Sequence, residues 1–415
     1  MSSCWRIFWL ELTSLWRSRT TALLAACTAI WVVASSQLVR GDGTVQGAQE
    51  MALKYSLGGA MAILAVTMLI TGAGTIAKER EEKRLQLTVV RPVRYLAVVL
   101  GKVLALSMTA MAVLALAVGV YLALVPHGTL SEGGCSHVLR PVLPSPQEEA
   151  RAMYEVYMND PDTPVEVKRA PKKTVLRLLT QRAVDHYQTI GPKSTAEWRF
   201  KLKPEYEKIA VRLRLTNLYD QRRQVTGELR FGEATGTVSN ITQAICVFGL
   251  EGSPTGEELE LDNRGEEALM LRPRKDVEVL APADGFKMNL LRAYLELSAL
   301  LVLLIAFAVS LSAALGRPVA VFVAVVTLVL AEMSPSVIEQ YPDELETDKI
   351  DAIGLFLTRI AAEVTHPVSG ITPLEKLADH ECVEWPETLR TLSTHAILLP
   401  GLLLLLASFI LPKKQ

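Results

Sequence analysis

Apolar positions gather into six long runs: Thr20 to Leu38, Leu57 to Ile76, Leu100 to Val125, Leu290 to Leu315, Pro318 to Met333, and Leu392 to Leu411. A helix crosses a bilayer with about 20 apolar residues, and none of these runs carries a charge in its middle, so each predicts a spanning helix. The fifth is the shortest. Gly316, Arg317 and Pro318 break the run before it and predict a tight hairpin between the fourth and fifth spans.

The residues before the first span have a different period. Trp5, Phe8, Trp9, Leu12, Leu15 and Trp16 fall on one face of a helix, with Arg6, Thr13, Ser14 and Arg17 on the other. Tryptophan on such a face favours the headgroup boundary, so an interfacial elbow helix is expected ahead of an uncleaved anchor. The small residues Val33 to Ser36 would also suit a signal-peptide cleavage region. The long amphipathic segment upstream of them favours the anchor.

The third and fourth spans are separated by a polar stretch long enough for an independent domain. Gln147 to Asn159 and Lys173 to Thr189 place apolar residues at helical spacing; after Gly191 and Pro192 the period changes to two. Ile209, Val211, Leu213 and Leu215 alternate with Ala210, Arg212, Arg214 and Thr216, and Val225, Leu229 and Phe231 continue the pattern. Shorter runs at Leu259 to Leu261, Ala268 to Leu271 and Val277 to Leu280 are bounded by turn residues, which points to a small β-sandwich. The expected architecture is an α-helical polytopic membrane protein. It has six spans over 1–125 and 289–415, an elbow helix, and an inserted extracytoplasmic α+β domain over 126–288.

Charge orients this layout. Of the 415 residues half are hydrophobic and 21% charged, with a net charge of only −1, so the bias lies in the placement of charge rather than its sum. Arg6, Arg17, Arg19, the connector between the second and third spans, Arg317, Lys413 and Lys414 all fall on one side if six helices alternate. That side is read as cytoplasmic, with both termini on it. The loop over 335–391, with twelve acidic and four basic residues, goes to the other side. Within it Ile350, Ile353, Leu357, Ile360 and Val364 form one stripe, predicting an amphipathic helix that Pro367 ends.

The connector holds the most specific pattern. Thr75 to Val103 contains ten charges. A short helix from Ala77 to about Val90 would set Leu85 and Val89 on one side as an apolar plug, ringed by Arg80, Glu81, Lys83 and Arg84, with Pro92 biasing Arg91 out of the helix. Such a plug suits a groove in a soluble protein. A solvated loop that merely sets topology is the plainer alternative, and the ordered Leu-x-Leu, Pro and Gly-Lys spacing favours docking.

In order and spacing the connector resembles that of type-2 ABC transporter permeases. Glu81 and Glu82 match that family's acidic stretch, Leu85 and Leu87 its Leu-x-Leu core, Pro92 its stop, and Gly101-Lys102 the head of the next span. Lys83 and Arg84 stand where the family has a Gly-Thr pair. Phe286 to Phe307 is similar to the family's entry into its fourth span, and lipopolysaccharide-exporting members place a sheet domain at the same insertion point. The resemblance covers both membrane portions. It implies a permease subunit, an exporter, in a bacterial inner membrane, coupled to a separate cytoplasmic ABC ATPase that binds the ATP and magnesium. It also implies a homodimer or a second permease subunit. Membrane lipid is a further expected partner, and nucleic acid is not.

The remaining chemistry is sparse. No G-x-x-x-x-G-K-[ST] run occurs, so this chain has no phosphate cradle of that kind, and no catalytic constellation or cofactor site stands out. Cys135-Ser136-His137 and His380-Glu381-Cys382 offer either a zinc site or, with Cys246, thiols from which a disulfide is drawn. Arg292 and Glu296, one turn apart at the outer end of the fourth span, either line a path or snorkel to water as an interfacial pair. Pro400 predicts a kink in the last span. A secondary transporter would need ionisable groups at midplane, which the spans lack. A mechanotransmitter acting on the external domain, or an anchor bearing a sensor domain, are the other readings.

Overall fold

The computed structural model describes residues 3–38, 45–81, 94–124, 135–159, 172–184, 187–201, 209–217, 224–241, 245–250, 254–340, 373–379 and 381–410. The chain divides into two compact units, Met1–Gly134 with Gly285–Gln415, and Cys135–Asp284.

The first unit is helical. An amphipathic helix α1 (Ser3–Arg17) is separated by Ser18 from α2 (Arg19–Leu38), and the Ser18 hydroxyl accepts the Thr20 amide as a cap. Next come α3 (Val45–Glu81) and α4 (Tyr95–Leu124). The chain then leaves for the inserted unit, which contains α5 (Pro146–Asn159) and α6 (Lys172–Val184). It returns as α7 (Phe286–Ala314), turns at Leu315–Gly316 into α8 (Arg317–Gln340), and resumes with the short α9 (Pro373–Ala378). Finally α10 (Trp385–Thr391) passes into a π-helical stretch, Leu392–Leu398, and then α11 (Leu399–Ile410).

Five of these helices are long and apolar enough to cross a membrane: Arg19–Leu38, Met51–Glu81, Tyr95–Leu124, Phe286–Ala314 and Trp385–Ile410. The chain is therefore a multi-pass membrane protein. The remaining expected span, the fifth along the chain, lies within α8, whose apolar part among the described residues, Arg317–Val329, is shorter than the other five. The last span begins at Trp385, so the sequence-based loop boundary at 391 is too late. Polar residues opened this helix, and only their packing reveals that it had already begun. Pro400 lacks an N–H to return four residues back, and the helix just before it takes the wider π register, with the Leu399 amide reaching Thr394 O.

Helices α3 and α7 form the centre. Leu64, Leu69, Ala73 and Ile76 of α3 and Leu301, Ile305, Ala308 and Val309 of α7 are fully buried in one cluster. Gly72 lets them approach: a Cβ there would stand 3.0 Å from that of Ala308. Thr67, Thr71 and Thr75 return their hydroxyls to carbonyls four residues back, which satisfies them without a neighbour.

The second unit is an antiparallel β structure. Its strands are β1 (Ser136–Leu139), β2 (Gln188–Ile190), β3 (Thr195–Arg199), β4 (Ala210–Arg214), β5 (Thr216–Asn217) and β6 (Gln224–Gly232). They are followed by β7 (Ala234–Ile241), β8 (Ile245–Gly249), β9 (Pro254–Asn263), β10 (Leu269–Leu271) and β11 (Val277–Pro282). Two four-stranded sheets, β1-β11-β4-β8 and β3-β9-β6-β7, and a three-stranded sheet, β2-β10-β5, supply one core. Ile209, Val211, Leu213 and Leu215 all point into it, as do Val225, Leu229 and Phe231. The predicted helix to Thr189 instead ends at Val184, because Gln188–Ile190 is recruited as an edge partner of β10. Helices α5 and α6 pack together through Ala150, Val175 and Leu179.

Candidate functional site at the feet of the α3–α4 connector

Of the residues singled out in the connector, Glu82, Lys83, Arg84, Leu85, Leu87, Arg91 and Pro92 lie outside the described residues; Glu81, Gly101 and Lys102 lie within them. The expected separate helix from Ala77 does not begin there. Ala77 to Glu81 is the unbroken end of α3, with Glu81 exposed at its tip. Backbone hydrogen bonding simply carries the spanning helix past the apolar run.

Lys102 is the surprise of this end. It lies two turns into α4 and is only 3% exposed, with Nζ 2.8 Å from Glu79 Oε1 and 3.2 Å from Glu11 Oε1. A buried ammonium without partners costs several kcal/mol, and the two carboxylates offset that cost while joining α1, α3 and α4 at one point. Next to it, Gly101 brings α1 against α4. A Cβ at this position would meet Ile7 Cγ2 at 3.0 Å and the Cys4 carbonyl oxygen at 3.1 Å. The Gly-Lys pair thus holds α1 against α4.

A second brace ties α3 to the α7–α8 turn. Arg80 donates from Nη2 to Leu315 O at 2.9 Å and from Nη1 to Ala313 O at 3.4 Å, supplying a cation and donors to the carbonyl end of α7. In return the buried Ser312 hydroxyl accepts the amides of Ile76 and Ala77 at 3.0 and 2.8 Å. Glu79 and Arg80, adjacent on α3, therefore connect in different directions.

The aromatic face of α1 is divided. Phe8 and Leu12 are buried against Ala105 of α4, whereas Trp5, Trp9 and Trp16 are exposed. Trp5 stacks on Phe8 with ring centroids 5.0 Å apart.

At the opposite end of the helical unit Arg292 and Glu296 do not snorkel; they are 4% and 3% exposed. Of the two sequence alternatives, snorkelling fails because residues far along the chain cover the pair. Arg292 donates to Val383 O at 3.0 Å and lies 5.1 Å from the Trp385 ring centre, and Thr388 donates to Glu296 Oε1 at 3.0 Å. Asn289 completes this clasp, donating to Glu381 O and accepting from the Val383 amide, both at 2.8 Å. Cys135 and Cys382 are each disulfide-bonded, which removes their thiols from the zinc alternative; Cys4 and Cys27 are free. No group of metal-binding side chains occurs among the described residues.

Sequence reasoning passed over Glu11, Glu79, Ser312 and Asn289. Glu11 carried a signal, being the lone acid of an otherwise apolar and basic helix. Ser312 and Asn289 carried none, since their partners are more than ninety residues away. No protein-family model, curated protein or solved structure matches this chain.

Proposed function

We propose that the chain is the membrane subunit of an ATP-driven transporter of the ABC type, an exporter, whose α3–α4 connector is gripped by a separate cytoplasmic ATPase. The observation that carries this reading is the double attachment at the connector's feet: Lys102 to Glu79 and Glu11, and Arg80 to the end of α7. A load applied between Glu81 and Arg94 would reach α1, α3, α4 and α7 together, as rigid-body motion requires. A topological loop would need no such bracing. On this reading the connector side is cytoplasmic, the Cys135–Asp284 unit lies outside, and a second membrane subunit, identical or related, closes the path. ATP and magnesium belong to the partner.

The disulfide-bonded state of Cys135 and Cys382 supports an oxidising environment for the unit that begins at Cys135. A second reading, in which ATP hydrolysis moves that unit with nothing passing through the spans, is favoured by its point of insertion. It is carried between α4 and α7, two of the braced helices.

Affinity isolation of the tagged chain in mild detergent tests the proposal. An ATPase should be recovered with it, and Leu85→Asp with Leu87→Asp should abolish that recovery. An unchanged complex would remove the docking role, and outward labelling of Lys83 or Arg84 would end the assignment.

A further inference from the structure

The tertiary packing of α1 sorts its surface into three sectors. At 100° per residue, Phe8, Leu12 and Leu15 share the side that meets α4. Trp5, Trp9 and Trp16 occupy the next sector, 45%, 49% and 63% exposed, and Arg6 and Arg17 the one beyond, also exposed. Packing at Gly101 and Ala105 sets this rotation. The only acid of α1, Glu11, is engaged by Lys102. The outward charge of the helix is consequently positive, and Arg19 extends it at the head of the spanning α2.

We propose that this face binds anionic lipid headgroups: the tryptophan row lies at the boundary of chains and headgroups, while Arg6, Arg17 and Arg19 take the phosphates. Two facts select lipid as the occupant. A single residue, Ser18, links α1 to a spanning helix, which keeps the row at the membrane surface. Indole rings favour that depth, and arginines flanking them are complementary to phosphate. The proposal rests on the reading of α1 as an elbow at the bilayer surface and needs no ATPase.

The test uses the full chain in phosphatidylcholine bilayers with a minor fraction of phosphatidylglycerol, one or the other lipid carrying brominated chains that quench nearby tryptophan. A Trp5→Phe, Trp9→Phe, Trp16→Phe variant assigns the signal to the row. Brominated phosphatidylglycerol should quench beyond its mole share. At each arginine the preference for phosphatidylglycerol over phosphatidylcholine should be about fivefold at low ionic strength, and it should decline with salt. Arg6→Gln, Arg17→Gln and Arg19→Gln together should restore parity between the lipids. Parity in the unmodified chain would overturn the proposal, and so would an excess that persists in the glutamine variant. If neither lipid quenches the row, α1 is not at the bilayer, and the elbow reading falls with the proposal. Failure to recover an ATPase would leave the lipid result standing.

Discussion

Lys102 Nζ lies 2.8 Å from Glu79 Oε1, so the first turns of α4 and the last turn of α3 are pinned together at the two feet of the connector. Glu11 approaches the same ammonium from α1, and the three charges belong to three separate helices.

Reversing the central charge should break this knot. Lys102→Glu sets three carboxylates together and should cost about 3 kcal/mol. Lys102→Met leaves Glu11 and Glu79, which are 22% and 32% exposed, free to hydrate, and should cost only about 1 kcal/mol. Thermal unfolding in detergent reads both. Glu79→Lys combined with Lys102→Glu should regain part of the loss, and no regain would mean that the pair is incidental.

Gly101 predicts a graded steric response. Gly101→Ala already sets its Cβ 3.0 Å from Ile7 Cγ2 and 3.1 Å from the Cys4 carbonyl oxygen, so it should shift α1 slightly, whereas the further methyls of Gly101→Val should lift α1 from α4. Burial pushes the Cys4 thiol above its ordinary value. Release of α1 should lower that value and speed maleimide labelling of Cys4 at mildly alkaline pH. Cys27→Ser removes the other thiol that is free among the described residues. An unaltered labelling rate in Gly101→Val would contradict the close crossing.

The clasp at the other end should be sensitive to Asn289. Asn289→Leu removes the acceptor for the Val383 amide, in a buried setting, and the donor to Glu381 O, in a partly buried one. Exchange of the Val383 amide should accelerate at least about tenfold, while the exchange of α3 amides stays as it was. Equal acceleration everywhere would show global unfolding rather than release of this segment.

Acid should loosen the start of α5. The Ser145 amide, and then its hydroxyl, hold the Glu148 carboxyl below the usual carboxylate range, forming a capping box. Its folded pKa is depressed, so its contribution is complete above the unfolded value of about 4.3. That contribution disappears as pH falls through the lower folded value. Hydrogen exchange at Ser145 should therefore differ between the native chain and Glu148→Gln near neutrality and converge in acid. A difference unaffected by acid would remove the carboxylate from the account.

Local period was a sound guide wherever burial followed a regular face. The alternation at Ile209 to Leu215 and the stripe at Phe8 and Leu12 both lead to buried side chains. It was a poor guide to boundaries, because Gln188–Ile190 joins a sheet through β10 and Trp385–Thr391 is helical despite its polarity. The candidate site was legible in part. Gly101 and Lys102 stood out by spacing, but Glu79 and Glu11 became visible only once three helices converged.

The chain by itself determined which segments are apolar enough to leave water, and where a sheet-forming insert interrupts them, because both follow from composition and short-range period. Tertiary packing alone decided the environment of the charges. Arg292 and Glu296 are covered by Val383, Trp385 and Thr388, and Lys102 is enclosed by two acids, since burial of an ion depends on partners that sequence distance conceals.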